Sequence, residues 1–274
     1  MVDRPDLELP SLPENIRELP RLDLPADATG PGIPLSRWFA AVQVFLVCGI
    51  PTGVIVFLGM YYLGSPMSAD GSALTMDPSK ITLEFFAMSS LFDTALVAIL
   101  IRIFLTMSGE TSRDVFLGSR PAGREAVLGL ALVPVLLIAV VVLVYLMNRL
   151  IPSLHNVVKN PLEIYMDTPL RAGVFLVVVI LAGGVREELQ RGFILHRFEQ
   201  RLGGAWVGLA VFSAAFGLFH LQQGFDVAIA VGLLGVWWGV LYIRRRSVVM
   251  AMTSHAGFDV AEVLQQLFLK SLGG

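Results

Sequence analysis

The chain is predicted to fold as an all-α polytopic transmembrane bundle of about seven spans, and three observations carry that expectation. Hydrophobic residues make up 55% of the 274 positions and charged residues only 15%, with a mean hydropathy of +0.72, whereas a soluble domain carries roughly a quarter charged residues. Apolar runs recur along the chain, each close to the ~20 helical residues that cross a hydrocarbon core of ~30 Å. Arginines gather at the ends of those runs, as topology signals do.

Residues 1–36 stand apart. They are polar and rich in proline (Pro5, Pro10, Pro13, Pro20, Pro25, Pro31, Pro34), with mixed charges and no apolar core of signal-peptide length. They read as a disordered cytoplasmic tail. Residues 37–274 then form a single membrane domain. Its spans are expected near 37–63, 82–107, 125–150, 169–200, 205–221, 225–243 and 247–269. The fourth is too long for one crossing, and its second half carries Arg186, Glu187, Glu188, Arg191, Arg197, Glu199 and Arg201. That half is expected to project into the cytoplasm or the interface.

Orientation follows from alternate connections. One holds Arg113, Arg120 and Arg124, the next on that side Arg197 and Arg201, the third Arg244, Arg245 and Arg246. The positive-inside rule puts all three in the cytoplasm of a multi-pass cell-membrane protein, with the N-terminus inside and the C-terminus external. A formal charge of -2 gives no basic footprint for nucleic acid, which is excluded as a partner. Cys48 is the one cysteine, so neither a disulfide framework nor a Cys-based metal site can form within the chain. No fixed-period repeat is present.

Ionisable groups at membrane depth cost about 2.5–3.5 kcal/mol even on insertion scales, so those that persist usually face a protein-lined cavity. Here they gather in the C-terminal half as Glu187, Glu188 and Arg191, then His220, then His255 and Asp259. Helices joined by a tight turn place residues equidistant from it at one depth. About Gly203-Gly204, Glu187 and His220 both lie roughly 20–25 Å along their helices. About the next hairpin, at Arg244 to Ser247, His255 lies roughly 12–15 Å and Asp259 roughly 20 Å along. His255 and Asp259 are also i, i+4 and share a face.

A carboxylate beside an imidazole can hold and deprotonate a water, and a second imidazole with a polar neighbour can stabilise a polarised carbonyl. The chain has no G-x-S-x-G elbow and no H-E-x-x-H zinc helix, so the attacking group in such a site is water.

At these residues the chain resembles the CAAX-protease and bacteriocin-processing family of intramembrane glutamate peptidases. That family's hallmarks are E-E-x-x-x-R, F-x-x-x-H and H-x-x-x-N/D, in this order. Here they read Glu187-Glu188-Leu189-Gln190-Arg191, Phe216-Gly217-Leu218-Phe219-His220 and His255-Ala256-Gly257-Phe258-Asp259. Gly235 and Gly239 resemble the family's glycine-bearing helix. The likeness covers residues 169–269. Two departures stand out. Arg191 falls one residue early, so the alignment from the glutamates makes Glu187 catalytic and Glu188 supporting. The alignment from Arg191-Gly192-Phe193 puts Arg186 on the catalytic position and Glu187 on the supporting one. Glu187 is favoured, because an arginine cannot act as base. Asp259 replaces the asparagine of many relatives, and donates a hydrogen bond only when protonated.

The resemblance implies an intramembrane endopeptidase acting on a peptide or membrane-protein substrate. Glu187 and His220 would activate water, His255 and Asp259 would stabilise the oxyanion, and Arg191 would hold the glutamates. It implies no metal and no cofactor. Competing readings are a catalytically silent membrane scaffold, a proton-coupled transporter using the same carboxylates as a relay, and a zinc site built from both histidines and a glutamate. The bland readings are an interfacial charge cluster for Glu187 and Glu188, and a structural bond between His255 and Asp259. Gly235 and Gly239 are expected to allow close helix packing, and Trp237 and Trp238 to be lipid-facing or packing residues. Asp93, mid-span in the second helix, is a candidate extension of the network. His155 and His196 are assigned no role, and Arg244 to Arg246 read as the topology anchor, placed where anionic lipid can meet them.

Overall fold

The computed structural model describes residues 34–64 and 82–273. The proposed tail up to residue 33 and the connection around Ser65 to Lys80 lie outside them. The described residues are helical, as expected: α1 Arg37–Val47, α2 Ile50–Gly64, α3 Leu83–Met107, α4 Ser112–Phe116, α5 Ala122–Leu150, α6 Pro169–Val178, α7 Glu188–Arg201, α8 Ala205–Leu218, α9 Phe225–Arg245 and α10 Val249–Gly273. A π-helical stretch, Val179–Glu187, joins α6 to α7 into one rod.

Local chemistry sets the ends. Ser36, Thr82, Thr111 and Thr168 cap α1, α3, α4 and α6 by accepting a backbone N–H bond, and Pro169 opens α6, where its missing N–H costs nothing. Gly203 and Gly204, at φ 104° and 101°, make the tight α7–α8 turn that the sequence places there. α9 stops on Arg246 in the left-handed region. Gly49, at φ 90°, breaks the first span, so α1 and α2 meet at 43°.

Among the described residues four rods are long and apolar enough to cross a bilayer, or five with the bent α1–α2 pair. α8 is only about 21 Å long at 1.5 Å per residue, and Asp259, Glu262 and Lys270 interrupt α10. Burial sorts the rods. The most apolar stretch of α5 is 17% buried and that of α9 is 44% buried, so α5 shows a broad apolar face (Val127, Leu130, Val135, Ile138) to lipid while α9 is central.

The three arginine-bearing connections meet at one end of the bundle. Arg120 Nε donates to the Arg245 carbonyl, Arg245 pairs with Glu125, Arg246 with Glu199, and Arg37 donates to the Arg201 carbonyl. The opposite end is closed by the segment 151–168: His155 meets Asp226 at 2.8 Å, the Asn156 side chain accepts from the Phe225 N–H, and Asn160 donates to Gln223. Arg245 and Arg246 are therefore committed to internal carboxylates.

The charged second half of the fourth rod does not project. Gln190, Arg191, Phe193, Ile194, Leu195 and Arg197 are buried, packed with Val47, Val97, Ile101, Phe104 and Tyr242. Its charges are matched internally: Arg197 reaches Gln43 and Glu110, and Glu110 also takes His196 at 2.6 Å. Burial alone would raise the Glu110 carboxyl, but hydrogen bonding and charge from His196 and Arg197 hold it down at about 2.

Candidate active site

The π-helical stretch brings the glutamates to the site. Such segments are rare and cluster at functional positions, and here Gly183 and Gly184 within it face α10. A Cβ on Gly183 would lie 2.6 Å from Asp259 Oδ2, and one on Gly184 2.5 Å from Ala256 Cβ. Only bare backbone fits there. This approach sets Glu187 and Glu188 beside His255 and Asp259.

The paired glutamates part ways. Glu188 is buried and receives the Arg191 guanidinium and, at 2.8 Å, His255 Nδ1. Arg191 is fully buried too, with its guanidinium carbon 4.9 Å from the centre of the Phe216 ring and 5.5 Å from those of Phe212 and Trp238. Its Nε and Nη2 have no hydrogen-bond partner, and the π faces take up that charge. Arg191 thus serves Glu188; its position does not give it a hydrogen bond to Glu187.

His255 stacks on Trp238 with ring centres 3.7 Å apart, and Trp238 Nε1 donates to Ser254. A carboxylate only accepts, so the Nδ1 proton of His255 goes to Glu188. That leaves Nε2, which lies 3.9 Å from Glu187 Oε2 and 3.7 Å from Asp259 Oδ1. Neither separation is a direct hydrogen bond.

Glu187 instead borders a hollow of about 180 Å³ whose lining includes Asp93, Arg186, Gln190, Phe216 and His220. His220 sits just past the end of α8, with Nδ1 2.8 Å from the Phe216 carbonyl. A carbonyl accepts, so Nδ1 carries the proton and Nε2 is the basic nitrogen left over. Glu187, Glu188, His255 and Asp259 thus form one connected cluster. His220 joins it through the hollow, its ring 5.0 Å from Phe216, which also meets the His255 ring edge-on at 6.2 Å. Among the described residues no three His, Cys, Asp or Glu side chains converge closely enough to hold a metal ion.

Several neighbours escaped sequence reasoning. Arg186, which the alternative alignment set on the catalytic position, instead lines the hollow and pairs with Asp93 at 3.1 Å. Gln190 donates to the Val47 carbonyl at the break in the first span, and Cys48 and Gly49 from that break line the hollow. The signal for the π segment was the Gly183-Gly184 pair inside an apolar run. Gly235 and Gly239 pack closely as expected, against Phe216 and Ser213 and against Leu209, Leu195 and Arg191. Trp238 is a packing residue, and Trp237 is partly exposed.

Residues 169–261, about a third of the chain, match the family model Rce1-like, described as Type II CAAX prenyl endopeptidase Rce1-like. No curated protein and no solved structure matches the chain. The matched segment contains all three motifs and ends just beyond Asp259. The apolar rods and the match support a multi-pass membrane protein, of which residues 169–261 are similar to that family.

Proposed function

We propose, with the Rce1-like match as premise, that the hollow is the centre of an intramembrane glutamate endopeptidase that needs no metal. The observation that carries the reading is that Glu187 and His220, from different elements, line one cavity, with the basic nitrogen of His220 left over after its bond to Phe216. Glu187 and His220 hold a water and take its proton as its oxygen attacks the scissile carbonyl, and that proton passes to the leaving amine nitrogen as the C–N bond breaks. His255 Nε2, when the ring carries both protons, and Asp259, when protonated, donate to the oxyanion. Glu188 fixes the His255 ring, and Arg191 fixes Glu188. The register that makes Glu187 catalytic accords with this placement.

Seven rods are assigned to the membrane, with the N-terminus inside and the C-terminus external. The meeting of the arginine connections at one end supports that orientation. The substrate is a peptide or membrane-protein segment reaching the hollow from the bilayer.

The test uses purified protein in lipid with a fluorogenic peptide ending in a prenylated CAAX sequence. In parallel, membrane-bound peptides are compared between cells carrying the wild type or Glu187→Ala. The wild type is expected to cleave, chelator-treated or not. Glu187→Ala, His220→Ala and His255→Ala should each lose about 100-fold or more while remaining folded. Full activity in any of the three removes that residue from the mechanism. No cleavage in either arm leaves a silent scaffold, and Glu187-dependent uptake in proteoliposomes would identify a carrier.

A further inference from the structure

We propose that Asp93, on α3 and outside the matched segment, is a positioning residue that acts on Glu187 through Arg186. This rests on Glu187 as the base. Neighbouring side chains on a helix do not face each other, yet Arg186 Nη2 lies 3.4 Å from Glu187 Oε1. The guanidinium must be drawn across by something outside its own turn. Its anchors are the Ala182 carbonyl at 3.4 Å, Gln190 Oε1 at 3.5 Å and Asp93 Oδ2 at 3.1 Å. Among the described residues Asp93 is the nearest of these three, the only carboxylate among them and the only one contributed by another rod.

The geometry divides one cation between two carboxylates. Asp93 holds Nη1, Glu187 Oε1 receives Nη2 at the longer distance, and Glu187 Oε2 is left turned toward His255 Nε2 at 3.9 Å. Without Asp93 the guanidinium has one full negative charge beside it. It would close onto both oxygens of Glu187, as arginine and carboxylate do when free to pair. The base would then be engaged at the oxygen that must meet water.

The variants Asp93→Asn, Asp93→Glu, Arg186→Met and the double variant Asp93→Asn with Arg186→Met are compared in full-length protein in lipid, using the prenylated fluorogenic peptide or the peptide found in the cell comparison. Asp93→Asn should lower kcat about tenfold or more with KM within about twofold, since a misplaced group costs turnover rather than binding. Asp93→Glu should recover part of the loss, and the double variant should be no slower than Arg186→Met if Asp93 acts on Glu187 through Arg186. Wild-type kcat in Asp93→Asn, a change confined to KM, or losses that multiply in the double variant would overturn the proposal.

A second arm needs no cleavage. In nitrogen NMR of arginine-labelled protein, a clamped guanidinium rotates slowly and resolves its two Nη signals. The Arg186 pair, identified by its loss in Arg186→Lys, should persist in Glu187→Gln and change in Asp93→Asn. An unchanged pair in Asp93→Asn refutes the clamp even in an inactive protein. An inactive wild type with the clamp intact refutes only the peptidase reading.

Discussion

Gly184→Ala tests whether the π-helical stretch sets the active geometry. The added Cβ would sit 2.5 Å from Ala256 Cβ, 2.8 Å from its Cα and 3.0 Å from its N. Ordinary contact begins near 3.4 Å, so the two rods must separate by about 1 Å, and backbone cannot yield as a side-chain tip does. His255 adjoins Ala256 and moves with it. A shift of that size takes its Nδ1 from 2.8 Å to beyond hydrogen-bond reach of Glu188. Overpacking of this kind costs about 1–3 kcal/mol, and misplacing a catalytic group by about 1 Å costs about 100-fold in rate. Gly173→Ala, on the same rod with nothing within 4 Å of the new carbon, is the control. It should be neutral or stabilising by up to about 1 kcal/mol. Thermal unfolding in detergent and turnover of the fluorogenic peptide are measured for both. If Gly184→Ala keeps wild-type turnover, or cannot be told from Gly173→Ala, the close approach of these rods does not govern the site.

Arg191→Met should destabilise by about 3–5 kcal/mol in thermal unfolding, because it leaves the buried Glu188 carboxylate without its cation. Arg191→Lys should fail to restore the wild-type midpoint, since an ammonium cannot reproduce a planar fork stacked among Phe212, Phe216 and Trp238; a midpoint at the wild-type value would refute that account. Cys48 is the chain's one thiol and lines the hollow, so a charged thiol reagent should label it in intact membranes and Cys48→Ser should abolish the signal. Labelling only after denaturation would mean that the hollow is closed to water. The Glu110 carboxyl is held below its ordinary value of 4.5, at about 2. Its stabilising contribution is therefore complete above about pH 4.5 and lost as pH falls through about 2. The detergent-solubilised thermal midpoint should fall over that window, and Glu110→Gln should flatten the fall; an equally steep fall in the variant counts against the Glu110 pairing as its source.

By itself, the sequence determined the helical membrane class and the two hairpin turns, and it put Glu187, Glu188, His220, His255 and Asp259 at comparable depth. Each depends on short-range regularities: apolar run length, glycine at a sharp turn, and a fixed rise per residue that converts spacing into depth. The equal depth of Glu187 and His220 followed from the same arithmetic about Gly203-Gly204, and the hollow they share is a finding of the packing. Tertiary structure decided what linear spacing cannot carry. Depth along a rod says nothing about rotation around it, so the sequence did not separate the buried role of Glu188 from the cavity-lining place of Glu187. The π stretch changes that rotation partway along a helix, and the charged half of the fourth rod turns inward because its partners Glu110 and Gln43 come from distant segments. Asp93 meets Arg186 for the same reason: pairing between residues far apart in the chain is written in packing, where low dielectric makes each unmatched charge costly enough to choose the arrangement.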